Sequence, residues 1–464
     1  MLLGQRFVTP LAVLCITFGG LFLTSTRLWA PSLADEIPLH ILDQANGEDN
    51  ISDKYNYCQA NRPNLKSYPS PKVHGSTLVH SQLFIRHGDR TPITVLPLDI
   101  DQTWECSNMS AYFFSGTGTP DSDKSPFQYA RALARQEISI PPGSPFADKM
   151  WKGSCIPGQL TPAGARQHRL LGAALRRLYV EELRLLPLIY MPELIHIRST
   201  DVWRTKQSAE NFMAGLYGMD THKGDPPPVL RINTLPVDID YLTMNAGACP
   251  RLGQLRSALE KNSEVLKNLE RDNVEFNKEL VDILGLQRPW SGYMDTIMPR
   301  VCHGMPLQCS SGKGCITQEI IDRVLENVQT LTAEMYRDAE GVQEVLKLGI
   351  GPLVSDIKAN LLAVKAGATK VRFHFYSGHD TTITPLLGML DSADMRWPPY
   401  AANLLMELWS SPKKGEYFVR VLYNHAVLET RSNWCDLAWC PLETFVAYLD
   451  RFIVEDLTVQ CQRQ

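Results

Sequence analysis

The chain has no surplus of positive charge: 46 lysines and arginines stand against 50 aspartates and glutamates, a formal net charge of −4. Without a basic field, nucleic acid is excluded as a partner, and any affinity for phosphate has to be local. None of the 11 cysteines belongs to a CxxC half-site. The cluster of Cys302-His303, Cys309 and Cys315 therefore lacks the usual spacing of a zinc motif, and no metal or other cofactor is expected. There is no internal repeat and no long low-complexity tract, so a repeat architecture is not expected either.

What remains is ordinary for a folded protein, with 44% hydrophobic and 21% charged residues. A length of 464 residues suits two or three domains, or one large core with an elaborated lid. A single long uncharged run, Phe7 to Leu23, is flanked by Arg6 and Arg27. It sits between the lengths typical of a signal-peptide core and of a membrane span. Ser32-Leu33-Ala34 could form a cleavage site but lies far beyond the apolar run. The expectation is an uncleaved signal anchor over 7–23, a cytoplasmic tail over 1–6 and a polar, proline-containing stem over 24–71. Ten cysteines follow Cys15, an even number that suits disulfides in an oxidising lumen, with Cys435 and Cys440 close enough to close a local loop. The sequons at Asn50 and Asn108 fit lumenal glycosylation.

The spacing of apolar residues predicts a strand over 76–86. Thr161 and Pro162 have the chemistry of a helix cap and first turn, and Leu170, Leu171, Ala174, Leu175 and Leu178 continue that helix to about Leu183. A strand at 194–198 and a helix over 207–217 follow. Strands alternating with helices indicate an α/β sheet whose ligand groups sit at carboxyl ends of strands. Between about 240 and 360 the pattern turns helical, with Leu252, Leu255, Leu259, Leu266, Leu269, Phe276 and Leu280 on one periodic stripe ended by Gly285, and a second helix over 317–338. This reads as a helical cap inserted between two parts of a core, 72–239 and 361–464. The sheet resumes at 371–376, and the apolar runs 404–409 and 417–423 flank a hairpin loop at 411–415.

Two strand ends carry the chemistry. Leu83-Phe84-Ile85 runs into Arg86-His87-Gly88-Asp89-Arg90-Thr91-Pro92, and Tyr376-Ser377-Gly378 into His379-Asp380-Thr381-Thr382. Arg86 and Arg90 can fork onto a phosphate, and His379 can add a hydrogen bond. A neutral His87 can attack phosphorus, and Asp380 can protonate the leaving oxygen and later deprotonate a water. Arg and His at one strand end are often only a solvated turn; two such ends with matching layouts argue otherwise.

Together these segments resemble the histidine acid phosphatase family, in which RHGxRxP supplies the nucleophile and a later HD dipeptide the proton donor. The resemblance spans roughly residues 73–445. It implies an α/β fold of the phosphoglycerate-mutase-like kind, with a mixed central sheet flanked by helices and an inserted, mostly helical cap. It also implies phosphomonoesterase activity through a phosphohistidine at His87, with Asp380 as proton donor and Arg86, Arg90 and His379 on the phosphate. A third arginine is taken from Ile197-Arg198-Ser199-Thr200-Asp201, where the resemblance gives the role to Arg198; Arg204 is read as structural, in an ion pair or solvated face. The short anchor, the stem and the cysteine cluster further resemble a Golgi member that removes the 2-phosphate of xylose in the glycosaminoglycan–protein linkage region. A general lysosomal or secreted acid phosphatase and an inactive lumenal module that binds phosphorylated glycans are the alternatives.

Overall fold

The computed structural model describes residues 55–462, apart from 97–98, 100–101, 108–142, 146, 148–149 and 219–228. The apolar run 7–23, most of the expected stem and both sequons lie outside the described residues. Among the described residues no helix is long and apolar enough to cross a membrane.

Eight strands form one mixed sheet: β1 (Thr77–Arg86), β2 (Ile195–Ser199), β3 (Ile232–Asn233), β4 (Phe373–Gly378), β5 (Asn403–Ser410), β6 (Tyr417–Tyr423), β7 (Ala426–Val427) and β8 (Cys440–Pro441). Their order is β7-β6-β5-β1-β4-β2-β3, with β8 pairing β6. β1, β4, β2 and β3 run parallel, while β5 joins β1 antiparallel and continues through the predicted hairpin into β6. From Val79 on, β1 has no exposed residue, as expected of a strand covered on both faces. Leu83 and Ile85 pack on one side with Phe212, Phe373 and Phe375, and Phe84 packs on the other with Tyr376 and Met406.

The first face is covered by α1 (Pro162–Leu175) and α2 (Trp203–Tyr217). Thr161 caps α1 by accepting from the Gly164 N–H, and a π-helical stretch over Arg176–Glu182 extends it as far as the periodicity predicts. The two helices cross closely enough that a Cβ on Gly172 would lie 2.0 Å from the Phe212 carbonyl and one on Gly215 2.0 Å from that of Arg169. Only hydrogen fits at that crossing.

The insertion consists of α3 (Pro250–Asn262), α4 (Glu264–Asp272), α5 (Val274–Leu284), α6 (Trp290–Cys302) and α7 (Gln318–Ala333). The leucine stripe read as one helix is thus three. Ser263 ends the first and caps the second by accepting from the Leu266 N–H, and Asn273 divides the second from the third. The next helix, α8 (Val342–Lys365), runs past the expected boundary at 360, and its Ile357 carbonyl accepts from Gln82 of β1. It belongs to the layer against the sheet. α9 (Asp380–Met389) and α10 (Leu442–Leu449) complete that side.

Residues 55–71, expected as the end of a stem, are instead part of the body. Tyr57 and Ala60 are buried, and main-chain hydrogen bonds of 2.9 Å link Ala60 N to Tyr400 O and Tyr400 N to Tyr57 O. All ten cysteines after Cys15 are paired: Cys58–Cys302, Cys106–Cys155, Cys249–Cys461, Cys309–Cys315 and the local Cys435–Cys440. The thiols near His303 are therefore engaged in disulfides.

Candidate active site

Register brings the two motifs together. Arg86 stands opposite Gly378 across β1 and β4, and Ser199 opposite Ser377 across β2 and β4, so the chain leaves three parallel strands at one edge. The turn after β1 is fixed by His87 N to Gly378 O at 3.0 Å, Gly88 N to Ser208 Oγ at 3.2 Å and Asp89 N to Gln167 Oε1 at 2.8 Å. Gly88 lies so near the start of α1 that a Cβ would meet the Gly164 carbonyl at 2.4 Å. Close approach is what this glycine provides.

His87 is almost fully buried, and its Nδ1 lies 2.8 Å from the Gly88 carbonyl. A carbonyl only accepts, so Nδ1 carries the proton and Nε2 presents its lone pair. Burial, followed by the charges of Arg204, Arg86, Arg90 and His379, pushes the His87 pKa well below the usual imidazole range. The ring stays neutral in mild acid.

Arg86 has no exposed surface. It donates to the Pro398 carbonyl at 2.6 Å and the Tyr57 hydroxyl at 3.0 Å, lies 3.1 Å from the Asp380 carboxylate, and packs over the Tyr57 and Tyr400 rings. Arg90 pairs with Asp295 at 2.5 Å and donates to the Thr91 carbonyl at 3.1 Å. The Nε atoms of Arg86, Arg90 and Arg204 are buried without a hydrogen-bond partner among the described residues. Three guanidinium groups converging on a neutral imidazole with unspent donors suit a dianionic ligand.

The third of those guanidinium groups is Arg204, not Arg198. Arg198 is buried in a two-pronged ion pair with Asp240, at 2.6 and 3.4 Å. Arg204, in the first turn of α2, places Nη2 3.4 Å from His379 Nδ1 and is the leading charge acting on both His87 and His379. The sequence-based roles of the two are thus exchanged in space: the strand arginine is spent on a carboxylate, and the helix arginine turns to the histidines.

His379 caps α9; its Nε2 lies 3.0 Å from Thr200 Oγ1, and its ring centroid is 5.6 Å from that of His87. Burial, followed by Arg204, lowers its pKa to about 3. Asp380 opens α9. Burial would raise its pKa, but Arg86, Arg90 and His379 outweigh burial and hold it below the ordinary carboxyl range. A group of metal-ligand geometry is absent among the described residues. Sequence reasoning also missed Tyr57, Tyr400, Asp295 and His303, which surround the loop but lie far from it in the chain with no local motif. His303 Nε2 sits 2.6 Å from Asp89.

A parallel sheet edge that gathers two histidines, a carboxylate and three arginines defines a phosphate-handling hydrolase, and the protein is a phosphomonoesterase. It belongs to the histidine phosphatase superfamily, branch 2, whose family model matches residues 77–424. Counting factor 60 of Dictyostelium discoideum is 29% identical over 420 residues, 89% of this chain and 94% of its own. Human lysophosphatidic acid phosphatase type 6 is 26% identical, covering 91% of this chain and 92% of its own. Human 2-phosphoxylose phosphatase 1 is also 26% identical, with 85% and 82% covered. Among solved structures, a Hafnia alvei phytase bound to tartrate superposes with a TM-score of 0.56 over 84% of this chain at 17% identity, a likeness of fold.

Proposed function

We propose that the protein hydrolyses phosphomonoesters through a phosphohistidine at His87. The observation that carries this reading is the 2.8 Å contact from Nδ1 to the Gly88 carbonyl, which leaves Nε2 as the attacking atom beside three arginines. Arg86, Arg90 and Arg204 hold the phosphoryl oxygens, with His379 as a further donor. Nε2 bonds to phosphorus as the ester P–O bond breaks, and Asp380 gives its proton to the departing alkoxide. Water then attacks the phosphohistidine, Asp380 takes the proton back, and inorganic phosphate leaves with the imidazole restored. An inactive binding module would need neither His87 nor Asp380 in these positions.

The proposed substrate is the 2-phosphate of xylose in the glycosaminoglycan–protein linkage region, met in the Golgi lumen by a chain anchored through residues 7–23. The relative named for phosphoxylose supports it, as do the five disulfides, which suit an oxidising compartment. A second reading, a lysophospholipid phosphate, is favoured by the wider reach of the other relative, 92% of its own length. Assaying the purified protein in parallel on a phosphoxylose linkage glycan, lysophosphatidic acid and an aryl phosphate separates the two. Selective turnover of the glycan, with the native protein recovered in Golgi membranes, is expected. Selective turnover of the lipid overturns the glycan, and a soluble native form beginning near Asp35 overturns the anchor.

A further inference from the structure

Helix α6 reaches the catalytic loop at three successive places. Asp295 pairs with Arg90 through Oδ1 at 2.5 Å and accepts the Ile93 N–H through Oδ2 at 3.0 Å. Immediately after the last residue of the helix, His303 meets Asp89 at 2.6 Å. Between them Cys302 is bonded to Cys58, the neighbour of Tyr57, whose hydroxyl accepts from Arg86. The inserted helix and its C-terminal cap thus touch residues 89, 90 and 93 of the loop and are joined covalently to the segment that holds Arg86.

We propose that Asp295 is a positioning residue of the phosphate clamp: supplied by the inserted helix, it orients Arg90 so that its remaining N–H groups point to the phosphate. This rests on the reading of Arg90 as a phosphate ligand. The carboxylate is suited to the task because it is itself held at both ends. One oxygen lies 2.5 Å from Arg90 Nη1 as its ion-pair partner, and the other accepts a main-chain N–H three residues further along the same loop, so loop and guanidinium are set as one unit. A carboxylate that merely balanced a buried charge would not need the second anchor. Only 12% of the Asp295 side chain is exposed, so the ion pair works largely out of water, where the attraction between opposite charges is least screened.

The test is a double-mutant cycle on the full protein, with the inhibition constant for inorganic phosphate as the readout and thermal stability measured alongside. Asp295→Asn keeps an acceptor for Ile93 but removes the negative charge that faces Arg90, and is expected to weaken phosphate inhibition about tenfold or more, the effect of breaking a largely buried ion pair. Arg90→Lys alone is expected to weaken it as well. Combining the two should add little to the Arg90 change, because Asp295 acts through Arg90. Fully additive losses, or an unchanged constant in a folded Asp295→Asn protein, overturn the proposal. Should that variant not fold, Asp295→Glu keeps the charge and displaces the carboxylate by one methylene; a raised constant supports positioning and an unchanged one contradicts it. If Arg90→Lys by itself leaves phosphate inhibition intact, it is the clamp reading that has failed.

Discussion

Arg86 Nη2 lies 3.1 Å from the Asp380 carboxylate, joining the two motifs that the sequence keeps almost 300 residues apart. In the free protein this contact, with Arg90 and His379, holds the carboxyl pKa down against burial. On the proposed mechanism, a bound phosphate would compete for the same guanidinium groups and bring negative charge beside Asp380, raising its pKa so that the acid is available when it is needed. The protonated fraction then falls as pH rises, which places activity on the acidic side.

Asp380→Asn should therefore cost about 10²–10⁴ in kcat on alkyl phosphates, the usual worth of a general acid. Aryl phosphates, whose leaving groups need little protonation, should lose much less. Steady-state rates on a matched alkyl and aryl pair check this, and equal losses would remove Asp380 from the acid role.

Arg204 and Arg198 should separate cleanly. Arg204→Ala is expected to weaken inhibition by vanadate and inorganic phosphate about 10- to 100-fold, the equivalent of a charged hydrogen bond. Arg198→Ala should leave that inhibition nearly unchanged while destabilising the fold by about 3–5 kcal/mol, because it strands the buried Asp240 carboxylate. Inhibition constants and urea midpoints on both variants decide; the opposite pattern would restore Arg198 to the phosphate.

Burial lowers the pKa of His80 to about 4, of His168 to about 3 and of His374 to about 2. In the unfolded chain each returns towards 6.5, so the unfolded state takes up more protons as acid is added. Their contribution to stability is full above pH 6.5 and is lost as pH falls towards the folded values. The urea midpoint should accordingly drop between pH 7 and pH 4, the range in which the enzyme is expected to work. A constant midpoint across that range would contradict the buried neutral histidines.

That Arg86, His87, Arg90, His379 and Asp380 come together was legible in the sequence because each cluster sits directly at the end of a strand. Arg198 misled for a related reason. It lies within β2, and its partner Asp240 is 42 residues further along, a contact no local pattern reveals. Arg204 had a usable signal in its place in the first turn of the helix that follows a strand's carboxyl end. The sheet hairpin and the α1 cap were set by short-range chemistry and were read correctly. Asp295, His303 and the Cys58–Cys302 link come from an insertion folding back on the core, and the breaks at Ser263 and Asn273 interrupt a stripe whose spacing alone suggests one helix.

The most direct test of the account is rapid quenching of the enzyme during turnover of a phosphate-labelled substrate, followed by mapping of the labelled peptide. The account predicts a phosphoryl group that withstands alkali but is released by acid, as a P–N bond does, on the peptide that contains His87. It also predicts that His87→Ala gives neither label nor turnover. Label on Asp380, or substantial turnover by a folded His87→Ala protein, would contradict it.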